Sequence, residues 1–175
     1  MGMQFSDMVF ADQVKDMNGS AIREIFHLLK VPGMISFAGG NPASSALEPD
    51  VVSEIVSEVL KRDGTAILQY GATEGYAPLR ESIAEFVKGC GLNTSADAVL
   101  PVTGSMQAMD LLCKVFINPG DAILAEDPTF LGVLQTMRMY RANIQPIATD
   151  EFGAIPESVE EQIRKFKPKL IYIIP

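Results

Sequence analysis

The chain has 175 residues, 47% of them hydrophobic, and a formal net charge of −8. That length fills one well-packed core, and the acidic balance excludes a broad nucleic-acid interface, because no basic surface is there to offset phosphate repulsion. His27 is the only histidine, and Cys90 and Cys113 form neither a close pair nor a metal spacing. Histidine metal clusters and Ser-His-Asp triads are thereby removed, and two free thiols in a reducing, cytoplasmic compartment are expected.

Met1 to Phe10 include Asp7 and lack both a basic start and a long apolar core, so no signal peptide is expected. No apolar run approaches a membrane span. Ser20 is predicted to cap a helix through Lys30, with Ile22, Ile25, Phe26 and Leu29 on one face and Pro32-Gly33 ending it. Arg23 lies near that helix's start, where a cation gains nothing from the dipole. It is either half of a surface salt bridge or a contact for a substrate carboxylate. His27 reads as a partly exposed helix residue.

Met34 to Ala38 predicts a short strand running into Gly39-Gly40-Asn41-Pro42. Paired glycines there permit close approach of a ligand, and serve a plain turn equally well. Pro49 opens a helix that should bury Val52, Ile55, Val56 and Val59 before Gly64 stops it. A polar loop punctuated by glycine follows, from Leu68 to Tyr76. Pro78 then begins a helix with Leu79, Ile83, Phe86 and Val87 inward, ended by Gly89. Loops of that kind between firm helices are where functional side chains tend to sit.

Val99 to Val102 is short and apolar, as a buried strand would be, and Met106, Met109, Leu112, Cys113 and Phe116 follow at helical spacing. Between them lie Thr103, Gly104 and Ser105. A strand turning through Gly and Ser into a helix leaves free amide groups at a positive dipole end, which is an anion site best suited to phosphate. Ser105 either adds a hydroxyl to that anion or simply caps the helix.

Asn118-Pro119-Gly120-Asp121 predicts a turn, followed by a strand over Ala122 to Glu126 and the loop Asp127-Pro128-Thr129-Phe130. A helix through Met139, a strand around Ile144 to Ile147, a helix over Pro156 to Phe166 and an apolar strand over Leu170 to Ile174 complete the alternation. The pattern predicts an α/β fold: a mostly parallel sheet with helices on both faces, joined by right-handed crossovers. Ligands of such sheets bind beyond the carboxyl ends of the strands, where Gly104-Ser105, Asp127 to Phe130 and Pro175 would converge.

Ser36 to Pro42 (SFAGGNP), Gln69 to Arg80 (QYGATEGYAPLR), Thr103 to Ala108 (TGSMQA) and Glu126 to Phe130 (EDPTF) occur in that order. Together they resemble the class I/II aminotransferases, pyridoxal-phosphate enzymes of fold type I, and within them the 2-aminoadipate/kynurenine branch. The resemblance covers nearly the whole chain from Ser20. It implies that Gly104, Ser105 and the main chain of Met106 hold the phosphate of pyridoxal 5'-phosphate. It further implies that Phe130 stacks on the pyridine ring, without the phenol hydroxyl that many relatives have there. Tyr70 matches a tyrosine that reaches the phosphate of the neighbouring subunit, which implies a homodimer with shared sites. Gly40 matches a glycine lining the substrate carboxylate pocket, and Arg23 an arginine that faces the substrate side chain. The substrates implied are an amino acid and a 2-oxo acid, with neither nucleic acid nor membrane as a partner.

The chain stops just before the family's Asn-Pro-Thr-Gly segment. None of its eight lysines, Lys15 to Lys169, matches the family's Schiff-base lysine. The expectation is therefore an N-terminal portion: residues 1–45 contributing to the small, substrate-lid domain and 46–175 to the large cofactor-binding domain, with no catalytic lysine and no metal site. A rival reading is the aminotransferase-like effector domain of a transcription regulator. Such proteins carry a winged-helix domain ahead of this region, and Met1 to Met17 is too short for one.

Overall fold

The computed structural model describes residues 11–15, 33, 35, 37 and 42–174. The predicted helix Ser20–Lys30 lies outside the described residues, as do Met34, Ser36 and Ala38 of the predicted strand. The chain forms two compact units, Gly19–Pro101 and a second made of Met1–Asn18 with Val102–Pro175. A one-turn helix, Asp12–Lys15 (α1), belongs to the second.

Within Gly19–Pro101, helix Pro49–Asp63 (α2) begins on a proline whose fixed φ suits the first turn, and ends at Gly64. Its apolar stripe is present but not buried: Val52, Ile55 and Val56 are 58%, 54% and 51% exposed, contrary to the expected burial. Periodicity reports which face seeks a partner; it does not supply one. A 3₁₀ segment, Gly64–Leu68, leads to the polar loop. Helix Ala77–Gly89 (α3) then carries Pro78 in its first turn and buries Ala84. Its Arg80 guanidinium turns toward the segment that follows. Nε donates to the carbonyls of both Ala96 and Val99 at 3.0 Å, and a terminal nitrogen lies 3.7 Å from Asp97.

That arrangement corrects the expected strand at Val99–Val102. The segment is extended at Val99 but pairs with no strand among the described residues. The Val99 carbonyl, which a ladder would use, is taken by Arg80. A strand is defined by its neighbour, and four apolar residues in a row cannot show whether a neighbour exists.

The other unit holds the sheet. Helix Gly104–Phe116 (α4), strand Ala122–Glu126 (β1), helix Leu131–Met139 (α5) and strand Asn143–Ile147 (β2) follow one another. A small hairpin of Thr149–Asp150 (β3) with Gly153–Ala154 (β4) comes next, then helix Pro156–Phe166 (α6) and strand Leu170–Tyr172 (β5). The main sheet is parallel, in the order β2-β1-β5, with Ile123 opposite Ile144 on one side and Leu170 on the other. Every residue of β1 is buried, which a central parallel strand requires when both faces are covered. On one face Ile123 packs with Met109, Cys113 and Ile117 after α4 and with Val133 and Met137 of α5. Burying each such side chain contributes about 1.5–3 kcal/mol. Leu124 points to the opposite face and is fully buried as well.

At the amino ends of the strands, Lys169 Nζ and Asp121 Oδ2 form an ion pair at 2.7 Å, and the Lys169 amide donates to Ala122 O. The Lys169 ammonium and the Asn118 amide hold the Asp121 carboxyl below the usual carboxylate range.

Candidate functional site

From β1 the chain crosses through α5 to β2, then through α6 to β5 on the other side of β1. A reversal of this kind opens a crevice at the carboxyl ends of the strands, beside the loop after β1. A hydrogen bond marks the place. Glu126, buried at the end of β1, accepts the Ile174 amide at 2.8 Å and so ties the end of β1 to the chain beyond β5. The loop after it, Asp127–Phe130, contains a cis Asp127–Pro128 peptide. Thr129 Oγ1 is buried there with no hydrogen-bond partner. It lines a cavity of about 450 Å³ shared with Asp127, Leu134, Arg138 and Ile144.

The second element of the site is the start of α4. Gly104 is its first residue, with φ +79. A side chain would be strained at that angle, and the space a Cβ would occupy is open. The cap position falls on Thr103, two residues before the expected Ser105, and Thr103 makes no side-chain cap. Instead the Gln107 side-chain oxygen reaches back and accepts the Thr103 amide, leaving the next amides free for another acceptor. Gly104 N–H turns back to Val102 O at 3.0 Å. The amides of Ser105 and Met106 and the Ser105 hydroxyl have no acceptor or partner among the described residues. Free amides at the start of a 13-residue helix, beside an uncommitted hydroxyl and a glycine that clears the approach, fit a phosphate group.

The two elements meet at Gly132. A Cβ built there would stand 2.8 and 2.9 Å from Cε1 and Cζ of Phe130 and 3.2 Å from Sδ of Met106. The structure thus brings together Gly104, Ser105, Met106 and Phe130. Phe130 is the cap residue of α5, and it is half exposed. Tyr70 is fully exposed in the polar loop, its amide bonded to the Gln69 side chain. Gly40 and Arg23 lie outside the described residues, and so does His27. Of the two thiols, Cys90 is exposed and Cys113 buried. Burial, and then the nearby Asp110 carboxylate, pushes the Cys113 thiol up, which makes it an inert core residue.

The sequence alone assigns no role to Gly132, and none to Glu126 or Arg80 beyond their places in the motifs. A glycine interrupting an apolar helix pattern was the available signal for the first. Nothing in sequence marked the partners of the other two.

The Aminotransferase class I and II family profile matches residues 32–174. The chain is 36% identical over 172 residues to aromatic-amino-acid aminotransferase 1 of Thermococcus litoralis, covering 95% of this chain and 41% of that protein. It is also 36% identical over 159 residues to 2-aminoadipate transaminase of Thermus thermophilus, covering 91% and 39%. Among solved structures, the kynurenine aminotransferase of Pyrococcus horikoshii, in complex with PMP, superposes with a TM-score of 0.83 at 32% identity, over 95% of this chain and 42% of that one. The chain therefore spans about two fifths of the length of these relatives. With a parallel α/β sheet, an anion-ready helix start and an aromatic ring at its switch point, it belongs to the class I and II aminotransferases.

Proposed function

We propose that this chain is the amino-terminal part of a pyridoxal-phosphate-dependent aminotransferase that moves an amino group between an amino acid and a 2-oxo acid. The observation that supports the reading is the approach of the Met106 sulfur and the Phe130 ring edge at Gly132, where side chains from the start of α4 and the cap of α5 come together. When bound, pyridoxal phosphate supplies the electron sink and carries the amino group between the two half-reactions.

This chain's own residues bind and orient. Gly104 admits the phosphate, the Ser105 and Met106 amides donate to it, and the Ser105 hydroxyl adds a charge-assisted bond. Phe130 covers one face of the ring and, lacking a hydroxyl, leaves the ring oxygen to other residues. The full exposure of Tyr70 supports its service to a neighbouring subunit's phosphate, and hence a homodimer with shared sites. Gly40 lines the carboxylate pocket, and Arg23 faces the substrate side chain. Residues 1–45 then belong with the small, substrate-lid domain and 46–175 with the large one, and the protein works in the cytoplasm. The regulator reading draws less support, because the relatives at 36% identity are aminotransferases.

The test is a substrate panel on the full-length protein with pyridoxal phosphate, scoring 2-oxo acid formed from acidic, aromatic and aliphatic amino acids. Turnover of an acidic substrate is expected. Arg23→Gln should lower kcat/KM for that substrate by about 10-fold or more, the scale of a lost hydrogen bond to a charged group, while sparing leucine. No 2-oxo acid from any class overturns the proposed activity, and an equal loss on both substrates returns Arg23 to the surface.

A further inference from the structure

We propose that Gly132 is a positioning residue for the cofactor ring, acting by having no side chain. The proposal rests on the reading of Phe130 as the ring-stacking residue. Gly132 is the second residue of α5, and its φ lies outside the left-handed region, so its backbone does not require glycine. The space does. A methyl group there would sit 2.8 and 2.9 Å from the far edge of the Phe130 ring, closer than carbon atoms approach, and 3.2 Å from the Met106 sulfur.

The Met106 sulfur need give only a few tenths of an ångström, so the larger movement falls on the Phe130 ring or on α5. α5 is fixed to the core through Val133 and Met137, which are 1% and 0% exposed. The Phe130 backbone is fixed as the cap of the same helix, its carbonyl accepting the Leu134 amide at 3.4 Å. Phe130 is half exposed, so its ring has solvent beside it to move into. A side chain at position 132 would therefore leave the helix in place and evict the ring from its seat beside Met106. The absent methyl group keeps the aromatic face where a planar ligand meets it, next to the turn that takes the phosphate.

The consequence runs against helix propensity. Alanine is the better helix former, so Gly132→Ala should leave the melting temperature of the cofactor-free full-length protein unchanged or raised. Affinity for pyridoxal phosphate and for unphosphorylated pyridoxal should fall by one common factor, roughly 2- to 13-fold, the range of a lost aromatic pair. Inorganic phosphate, measured as a competitor of cofactor rebinding, should keep its inhibition constant. The double variant Gly132→Ala/Phe130→Leu should bind no worse than Phe130→Leu alone, because the glycine acts through the ring.

If Gly132→Ala binds both compounds like the parent while Phe130→Leu weakens both, the proposal is overturned and the stacking role of Phe130 survives. If Phe130→Leu is also without effect, the stacking role itself falls. Additive losses in the double variant, or a lowered melting temperature with phosphate weakened in step, make Gly132 a packing residue and overturn the proposal.

Discussion

At the scale of single residues, the phosphate role proposed for the turn at Gly104 to Met106 divides between backbone and side chain, and the two parts can be separated. The free amides belong to the chain's path, which Gly104 permits at φ +79. The hydroxyl belongs to Ser105 alone. On the proposed reading, replacing Ser105 by alanine removes one hydrogen bond to a doubly charged group, worth about 1.5–3 kcal/mol, and leaves the helix start intact, since the cap position falls on Thr103. In the full-length protein, Ser105→Ala should weaken pyridoxal phosphate by about 10-fold or more and leave pyridoxal unchanged. Fluorescence titration with both compounds reads the difference. Equal affinities for variant and parent would reduce Ser105 to a solvent-facing residue of the first turn. The turn at Gly104 and Ser105 is legible in sequence because turn chemistry is local: glycine allows the positive φ and the helix begins there. Gly132 was not legible for the opposite reason, since its role is the space between two side chains contributed by different elements.

At the scale of elements, punctuation made the boundaries legible. β1 begins where Asn118-Pro119-Gly120-Asp121 ends, and α6 spans Pro156–Phe166 as its proline and apolar spacing predict. What stayed hidden was whether an apolar face or strand finds a partner, as the exposed stripe of α2 and the unpaired Val99–Val102 segment show. Partnering is a tertiary fact, and local pattern carries none of it. The join of β1 to β5 can be tested through Asp121. Its carboxyl is held below its ordinary value by Lys169 and the Asn118 amide, so folding gains stability from the charged form. That gain is present above the unfolded-state value and is lost as pH falls through the lower folded-state one. Asp121→Asn should therefore lower the melting temperature at neutral pH, and the gap from the parent should close on acidification. A gap that stays constant or widens in acid would show that the pair does not couple the strand ends through charge.

At the scale of the whole molecule, the proposed reading gives the chain one side of a cofactor site and too little energy to hold a cofactor by itself. A helix start contributes about 0.3–1 kcal/mol to an anion at an exposed position, whereas micromolar binding needs ~8 kcal/mol. A half-exposed ring at Phe130 adds about 0.5–1.5 kcal/mol. No lysine of the chain stands where the family resemblance puts the one that bonds the cofactor aldehyde, so no covalent term closes the gap. The sheet adds a second consequence. β5 has a strand neighbour on one side only among the described residues, and Ile171, Ile173 and Ile174 beside that edge are 43%, 45% and 49% exposed. Unpaired strand edges flanked by exposed apolar side chains invite pairing between copies. The 175-residue chain purified alone should therefore self-associate in sedimentation velocity runs, release added pyridoxal phosphate on gel filtration, and form no 2-oxo acid from any amino acid. Retention of the cofactor through the column, with borohydride fixing it to one specific lysine, would overturn this expectation. It would mean that one of the lysines from Lys15 to Lys169 reaches the aldehyde from a position the family does not use.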